Sequence, residues 1–386
     1  MRTQTEVVRA IAEARTHTDE LFRLVRPDSL YERPIPERHR MIFYLGHLEA
    51  FDWNLIARYS LDIPSFHADF DRLFAFGIDP PAGQLPCDQP SDWPGMAEVE
   101  QYNRRTRDAI DRVIDDVPDQ LLHVAVEHRL MHAETFAYIL HQLAYDRKIA
   151  PPDSGPPPTA PRPPVSAMID IPAGPARLGR TPDEGFGWDN EFQAVTVEVP
   201  AFSVSKYKVT NGEYLEFVRQ GAEPPFFWRE ERGHWLYRGM FSETPLALDA
   251  PVYVTLRQAQ AFAQWRGAQL LSEAQFHRAA CHPPASGNFH FRHWDPVPVQ
   301  LGEIPGAPAQ MFGNGWEWTS SVFAPFPGFE PFPFYTNYSE PFFDGDHYVL
   351  KGASPRTASC FLRMSFRNWF RPLYPYLYAT FRLVQQ

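Results

Sequence analysis

Apolar side chains recur at helical intervals through the first 145 residues and in short irregular runs after residue 165; that change of period divides the chain. In residues 3–25, Val7, Val8, Ile11 and Ala12, then Leu21, Phe22 and Val25, predict an amphipathic helix. Residues 39–59 repeat the pattern with Ile42, Leu45, Leu48 and Phe51, and Pro36 punctuates its start. Residues 96–117 place Ile110, Val113 and Ile114 on one side, Pro118 interrupts, and 119–145 is the longest periodic segment. Four such stripes need mutual burial, which an antiparallel four-helix bundle over residues 1–150 supplies. Residues 60–95 carry too many prolines and glycines for one element and are expected to be a crossover.

Residues 151–165 read PPDSGPPPTAPRPPV, a run that blocks helix by missing N–H donors and ring clashes, so a linker is expected there. In residues 166–386 the candidate strands are 167–171, 194–199 and 348–351, and the candidate short helices are 211–219 and 255–266. Thr210 and Glu213, and again Ser272 and Gln275, have the spacing of a capping box. Long glycine- and aromatic-rich loops fill the remainder, so this half reads as an irregular α+β domain whose loops carry function; it has no Gly-rich phosphate loop.

Composition narrows the function classes. A chain of 386 residues is long for one core and suits two. A formal charge of −11 disfavours a general nucleic-acid binder. Cys87, Cys281 and Cys360 are too few and too scattered for a disulfide framework, which fits a reducing compartment. With no signal-like segment and no run of 18 apolar residues, the expectation is a cytoplasmic protein that does not enter membranes.

The candidate chemistry lies in the bundle. His128 and His132 are four apart on the last helix and so share a face, and His47 stands among apolar residues on the second helix, where an antiparallel neighbour could supply a third imidazole. Three imidazoles with open positions suit Fe(II) or Zn(II). Glu134, two residues past His132, is off that face and is expected to support an imidazole from outside the coordination sphere. His141, nine residues past His132, is expected to be structural or at the surface.

His47 together with the run HRLMHAE at 128–134 resembles the His…His-x-x-x-His-x-Glu signature of the ergothioneine-type sulfoxide synthases, whose N-terminal part is a DinB-like four-helix bundle. Segments 171–174 (IPAG), 187–191 (GWDNE), 208–212 (KVTNG), 271–274 (LSEA), 313–319 (GNGWEWT), 348–352 (YVLKG) and 366–369 (FRNW) resemble their formylglycine-generating-enzyme-like domain, a variant of the C-type-lectin fold. The resemblance implies a mononuclear non-heme Fe(II) enzyme that uses O2 to join a chalcogen donor to C2 of the imidazole of hercynine, the trimethylated betaine of histidine. It makes His47, His128 and His132 the iron ligands, Asn368 and Trp369 the clamp for hercynine, and Tyr335 and Tyr338 the catalytic tyrosines.

Departures from the family concentrate around the substrates. Where the ergothioneine enzymes commonly carry Gln before the second histidine of the pair, this chain has Met131, a poor partner for an imidazole N–H. Where they carry an acid for the amino group of γ-glutamylcysteine, and arginines shortly after, it has Phe370 and then Leu373 and Tyr374. Arg371 stands between, able to reach a carboxylate or to face solvent. The aromatic run fits a neutral donor, so the resemblance points to the selenoneine synthase branch and a selenosugar donor, ahead of cysteine or γ-glutamylcysteine. A formylglycine-generating activity would need a close cysteine pair, and only Cys360 stands near the end of the fold. A non-catalytic ligand-binding protein is the remaining alternative, since fold alone does not establish chemistry.

Overall fold

A computed structural model describes residues 4–78, 84–152, 154, 155, 158, 160, 164–280 and 283–385. The chain forms two compact units, Met1–Pro152 and Asp153–Gln386, and the expected linker lies partly outside the described residues. No described helix is long and apolar enough to cross a membrane.

The first unit is helical: α1 (Gln4–Phe22), α2 (Met41–Asp52), α3 (Ala68–Phe76), α4 (Met96–Asp111) and α5 (Asp119–Gln142). α2 and α5 are buried on nearly every side, α2 as expected of a helix that is apolar almost all round and α5 with charged and imidazole side chains among its buried residues. α1 lies along α5, and α2 lies against α3, α4 and α5. Beyond Asp52, α2 continues as a π-helix, Trp53–Ser60. The helix α3 falls in the stretch read from sequence as a crossover. It spans only nine residues, and the Pro and Gly on either side mask its period. His67 caps it by accepting from the Phe70 N–H at 3.3 Å, and Gly77, at φ 76°, ends it in a conformation that costs glycine little.

The interior of this bundle is also ionic. Arg129, 1% exposed, donates to Glu49 at 2.9 Å and Asp52 at 2.6 Å, and to the Leu48 carbonyl at 3.2 Å. Arg107 reaches the same Glu49 oxygen at 2.7 Å and forks onto both oxygens of Asp19 at 2.7 Å. One network therefore ties α1, α2, α4 and α5. The two guanidiniums hold the Glu49 carboxyl well below its usual range, whereas burial pushes Asp52 up.

The second unit is α+β. Its strands are β1 (Met168–Ile171), β2 (Gly174–Leu178), β3 (Val195–Val199), β4 (Phe202–Ser205), β5 (Trp228–Glu231), β6 (His234–Arg238), β7 (Glu243–Pro245), β8 (Gln269–Leu270), β9 (Gly315–Val322), β10 (Tyr348–Ala353), β11 (Asn368–Phe370), β12 (Ala379–Thr380) and β13 (Leu383–Gln385). They form two four-stranded sheets, β1-β4-β13-β8 and β11-β10-β9-β12, a hairpin β2-β3 and a meander β5-β6-β7. Helices α6 (Asn211–Arg219), α7 (Leu256–Trp265) and α8 (Glu273–Ala279) each start at a capping box, from Thr210, Thr255 and Ser272. Phe202, Val204, Leu271, Phe276, Phe312 and Val384 pack α8 against the first sheet. Glu317 of β9 takes Lys208 at 2.7 Å and Arg382 at 2.9 Å, all three fully buried, which joins the second sheet to the strand ends of the first. Glu273, the first residue of α8, receives Arg367 at 3.0 Å and so fixes the chain just before β11.

Arg129→Met should leave Asp52 buried without its cation and cost about 3–5 kcal/mol. Urea unfolding followed by far-UV circular dichroism should show this as a lower midpoint for the helical unit; an unchanged midpoint would make the network incidental.

Candidate metal centre

His47 projects from the middle of α2, and His128 and His132 from one face of α5. Their ligand-capable nitrogens lie within 4.8 Å of one another. His47 Nε2 and His132 Nε2 are 3.2 Å apart. Two nitrogens on neighbouring positions of one ion, each at ~2.1 Å, stand about 3.0–3.4 Å apart, so this pair already has ligand spacing. Phe43 and Phe51, four residues to either side of His47, hold the rings. Phe43 stacks on His47 with centroids 4.7 Å apart, and Phe51 lies flat on His128 at 3.4 Å and 9°. An aromatic stripe at helical spacing on α2 thus pins two of the three imidazoles.

Protonation follows from the same packing. His47 Nδ1 lies 2.6 Å from the Phe74 carbonyl of α3. A carbonyl only accepts, so Nδ1 carries the proton and the Nε2 lone pair is left toward His132. Burial lowers the His47 pKa to about 4, and burial with imidazole neighbours holds His128 and His132 well below the ordinary histidine range. Three neutral imidazoles in an apolar setting, with His132 Nδ1 buried and unbonded, fit a divalent ion of imidazole preference such as Fe(II) or Zn(II). His132 and its neighbour Met131 are only half-buried, which leaves the centre its open side. Glu134 is half-buried, and His141 is fully buried with its carbonyl accepting from Lys148 at 3.0 Å. Phe43, Phe74 and Arg129 were not singled out from sequence, and Phe51 was read only as an apolar position of its helix. For the two α2 phenylalanines the signal was there, since His39, Phe43, His47 and Phe51 repeat every four residues.

In the second unit, Tyr335, Tyr338 and Trp369 come together. Tyr338 stacks on the fully buried Trp188 at 4.1 Å and meets Trp369 edge-on at 5.2 Å; Tyr335 lies 5.5 Å from Tyr338. Trp369 stacks on Phe323 at 4.4 Å and 6°. Burial, with Asp189 nearby, pushes the Tyr335 phenol up to about 12, and burial raises Asp189 to about 6. Asp189 and Asn190, in the GWDNE segment, both bond Ser339, the residue after Tyr338, and so anchor the tyrosine loop. The Asn368 amide oxygen accepts from the Trp369 N–H at 2.9 Å. Phe370, one position on, joins a different group: it stacks on Tyr374 at 5.3 Å, and Tyr374 meets Tyr376 at 5.1 Å. The Arg371 side chain is exposed, 3.8 Å from Asp346. Cys87 and Cys360 form no disulfide, and Cys281 lies outside the described residues.

Residues 153–295 and 307–386 match the Sulfatase-modifying factor enzyme 1-like domain, and residues 10–145 match the DinB superfamily. The chain is 32% identical over 348 residues to the Hercynine oxygenase of Mycolicibacterium smegmatis, covering 78% of this chain and 79% of that protein. It is 33% identical over 323 residues to the Hercynine oxygenase of Mycolicibacterium thermoresistibile, covering 72% and 71%. With the Ergothioneine biosynthesis protein 1 of Neurospora crassa it shares 25% identity over 492 residues, spanning 93% of this chain and 55% of the fungal protein.

His132→Ala should remove one of three ligands and weaken Fe(II) or Co(II) binding by ~100-fold or more, measured by metal content after gel filtration. A pH effect accompanies the site. The folded His47 pKa lies below the unfolded value, so the unfolded state binds more protons between pH 6.5 and about 4 and stability falls as pH falls through that window. For His47 alone the metal-free protein should lose about 2 kcal/mol from pH 7 to pH 5 in urea titrations. Saturating metal competes for the same nitrogens and should flatten the dependence.

Proposed function

We propose, from the premise that this chain belongs to the two-domain family of the hercynine oxygenases, that it oxidatively joins a chalcogen donor to hercynine with O2. The chain is a non-heme Fe(II)-dependent oxidoreductase, and the observation that carries this is the convergence of His47, His128 and His132. Iron held by these imidazoles would supply the one-electron chemistry that O2 requires. Neutral imidazoles leave their lone pairs to the ion at physiological pH, and Phe43 and Phe51 keep two of the rings from turning away.

Hercynine carries a permanent cation and a carboxylate. Trp369 and Asn368 are the residues proposed to receive it, the indole for the trimethylammonium group at a gain of ~1–2 kcal/mol and the amide for polar atoms. Tyr335, a neutral phenol at physiological pH like any tyrosine and kept so by burial, is proposed as the proton donor; Tyr338 is proposed to flank the substrate. Met131, beside His132, is a thioether where the family commonly carries Gln, and so is a poor partner for an imidazole N–H. Glu134 is proposed to support the His132 turn of α5 rather than to bind iron.

The relatives' names, Hercynine oxygenase and Ergothioneine biosynthesis protein 1, support sulfur chemistry, for which cysteine or γ-glutamylcysteine is the proposed donor. A second reading is favoured by one feature. The Phe370, Tyr374 and Tyr376 rings pack on one another and the side chain of Arg371 beside them is exposed, so these residues themselves offer an amino-acid donor no buried charge. That suits a neutral sugar carrying selenium and gives C–Se bond formation.

Fe(II)-loaded protein incubated with hercynine and O2 should consume oxygen only when a donor is added, with the coupled product identified by mass spectrometry. Turnover with γ-glutamylcysteine or cysteine but not with 1-seleno-N-acetylglucosamine would overturn the selenium reading, and the reverse would overturn the sulfur one. Oxygen uptake indifferent to His128→Ala would overturn both.

A further inference from the structure

The carbonyl that sets the His47 tautomer comes from a helix end built for the purpose. Phe74 lies in the last turn of α3, where carbonyls lose their intrahelical partners. The Gly77 N–H returns to Leu73 at 2.7 Å, and the positive φ of Gly77 then turns the chain away, so the Phe74 oxygen is left to His47. Two features seat this helix end against α2. Gly46, the neighbour of His47, provides the space: a Cβ there would fall 2.4 Å from the Phe74 ring. Asp71, one turn before Phe74 and 1% exposed, provides the grip. Its carboxylate accepts from Trp53 Nε1 at 3.1 Å, Ser65 Oγ at 2.5 Å and Tyr102 OH at 2.8 Å, and its carbonyl accepts from Asn54 Nδ2 at 3.1 Å. These donors come from the π-helical extension of α2, the turn before α3, and α4.

We propose that Gly46 and Asp71 are positioning residues for the metal centre: they hold the C-terminus of α3 where its carbonyl fixes His47 with Nδ1 protonated and Nε2 turned to the ion. Neither touches the ion. Their effect passes through one hydrogen bond to a ligand, the kind of outer support whose loss typically weakens metal affinity ~10–100-fold. The inference rests on the iron-centre reading for its purpose, but the tautomer it requires belongs to the metal-free protein as well.

The test uses the full-length chain and Co(II) as the probe, with visible absorption as the readout. Asp71→Asn and Gly46→Ala, shown folded by circular dichroism, should each bind Co(II) at least ~10-fold more weakly than wild type. Phe74→Leu in the Gly46→Ala background removes the clashing ring while keeping the carbonyl and should recover most of that loss. In parallel, ¹⁵N-histidine NMR of the metal-free wild type should show His47 as the Nδ1–H tautomer, and Asp71→Asn should show it mixed. Wild-type affinity in either folded variant overturns the proposal, as does an Nε2–H tautomer in the wild type. Should Gly46→Ala not fold, Asp71→Asn and the tautomer measurement decide. Absence of Co(II) binding by the wild type would defeat the iron-centre reading instead, and the tautomer would still decide this one.

Discussion

Charge buried between helices is the constraint on which the first unit depends. Glu49, Asp52 and Arg129 are 1% exposed each, where unpaired charges would be untenable, so the chain has to bring them together. They stand on the same two helices as the metal ligands: Glu49 two residues past His47 on α2, with Asp52 about one turn further on, and Arg129 next to His128 on α5. Sliding α2 by one residue against α5 would shift it ~1.5 Å and turn it ~100°, which breaks the ion pairs and parts the imidazoles together. The ionic network is therefore the register mark for the metal site, in the way that a buried polar residue sets register in a coiled coil.

Much of this was legible in the sequence for a physical reason: helical period, capping boxes and an i, i+4 histidine pair are local signals. The segments of α6 and α7, the caps at Thr210 and Ser272, and the face shared by His128 and His132 follow from residues within a few positions of one another. The convergence of His47 came from matching two apolar stripes, and the substrate residues came from the family resemblance. What escaped was non-local. Arg129 and Glu49 are 80 positions apart, and Asp71 draws a donor from Tyr102, 31 positions on. The helix α3 escaped because nine residues between prolines and glycines carry too little period to separate from loop.

In the second unit the strand β11 sorts its neighbours. Consecutive side chains on a strand point to opposite faces, so Trp369 enters the group of Trp188, Phe323 and Tyr338, while Phe370 joins Tyr374. Two residues adjacent in the FRNWF run thus serve different aromatic surfaces. On the proposed reading, the strand therefore puts the residue assigned to hercynine and the residue assigned to the donor on opposite faces. The buried pairs of Glu273 with Arg367 and of Glu317 with Lys208 and Arg382 hold the start of β11 and the middle of β9 in place.

The π-helical stretch after α2 has a consequence for how such a bundle can evolve. His47 lies on the α-helical part before it, and Trp53 and Asn54, which reach across to Asp71, are its first two residues. The wider turns that begin there take up one residue more than α-turns would, so the residues that follow need not keep the period of the part that carries His47. Insertion or loss of a single amino acid in this stretch is absorbed as a change of winding rather than passed on as a rotation of everything that follows. A change of length here would leave the imidazole, which precedes it, aimed at its partners.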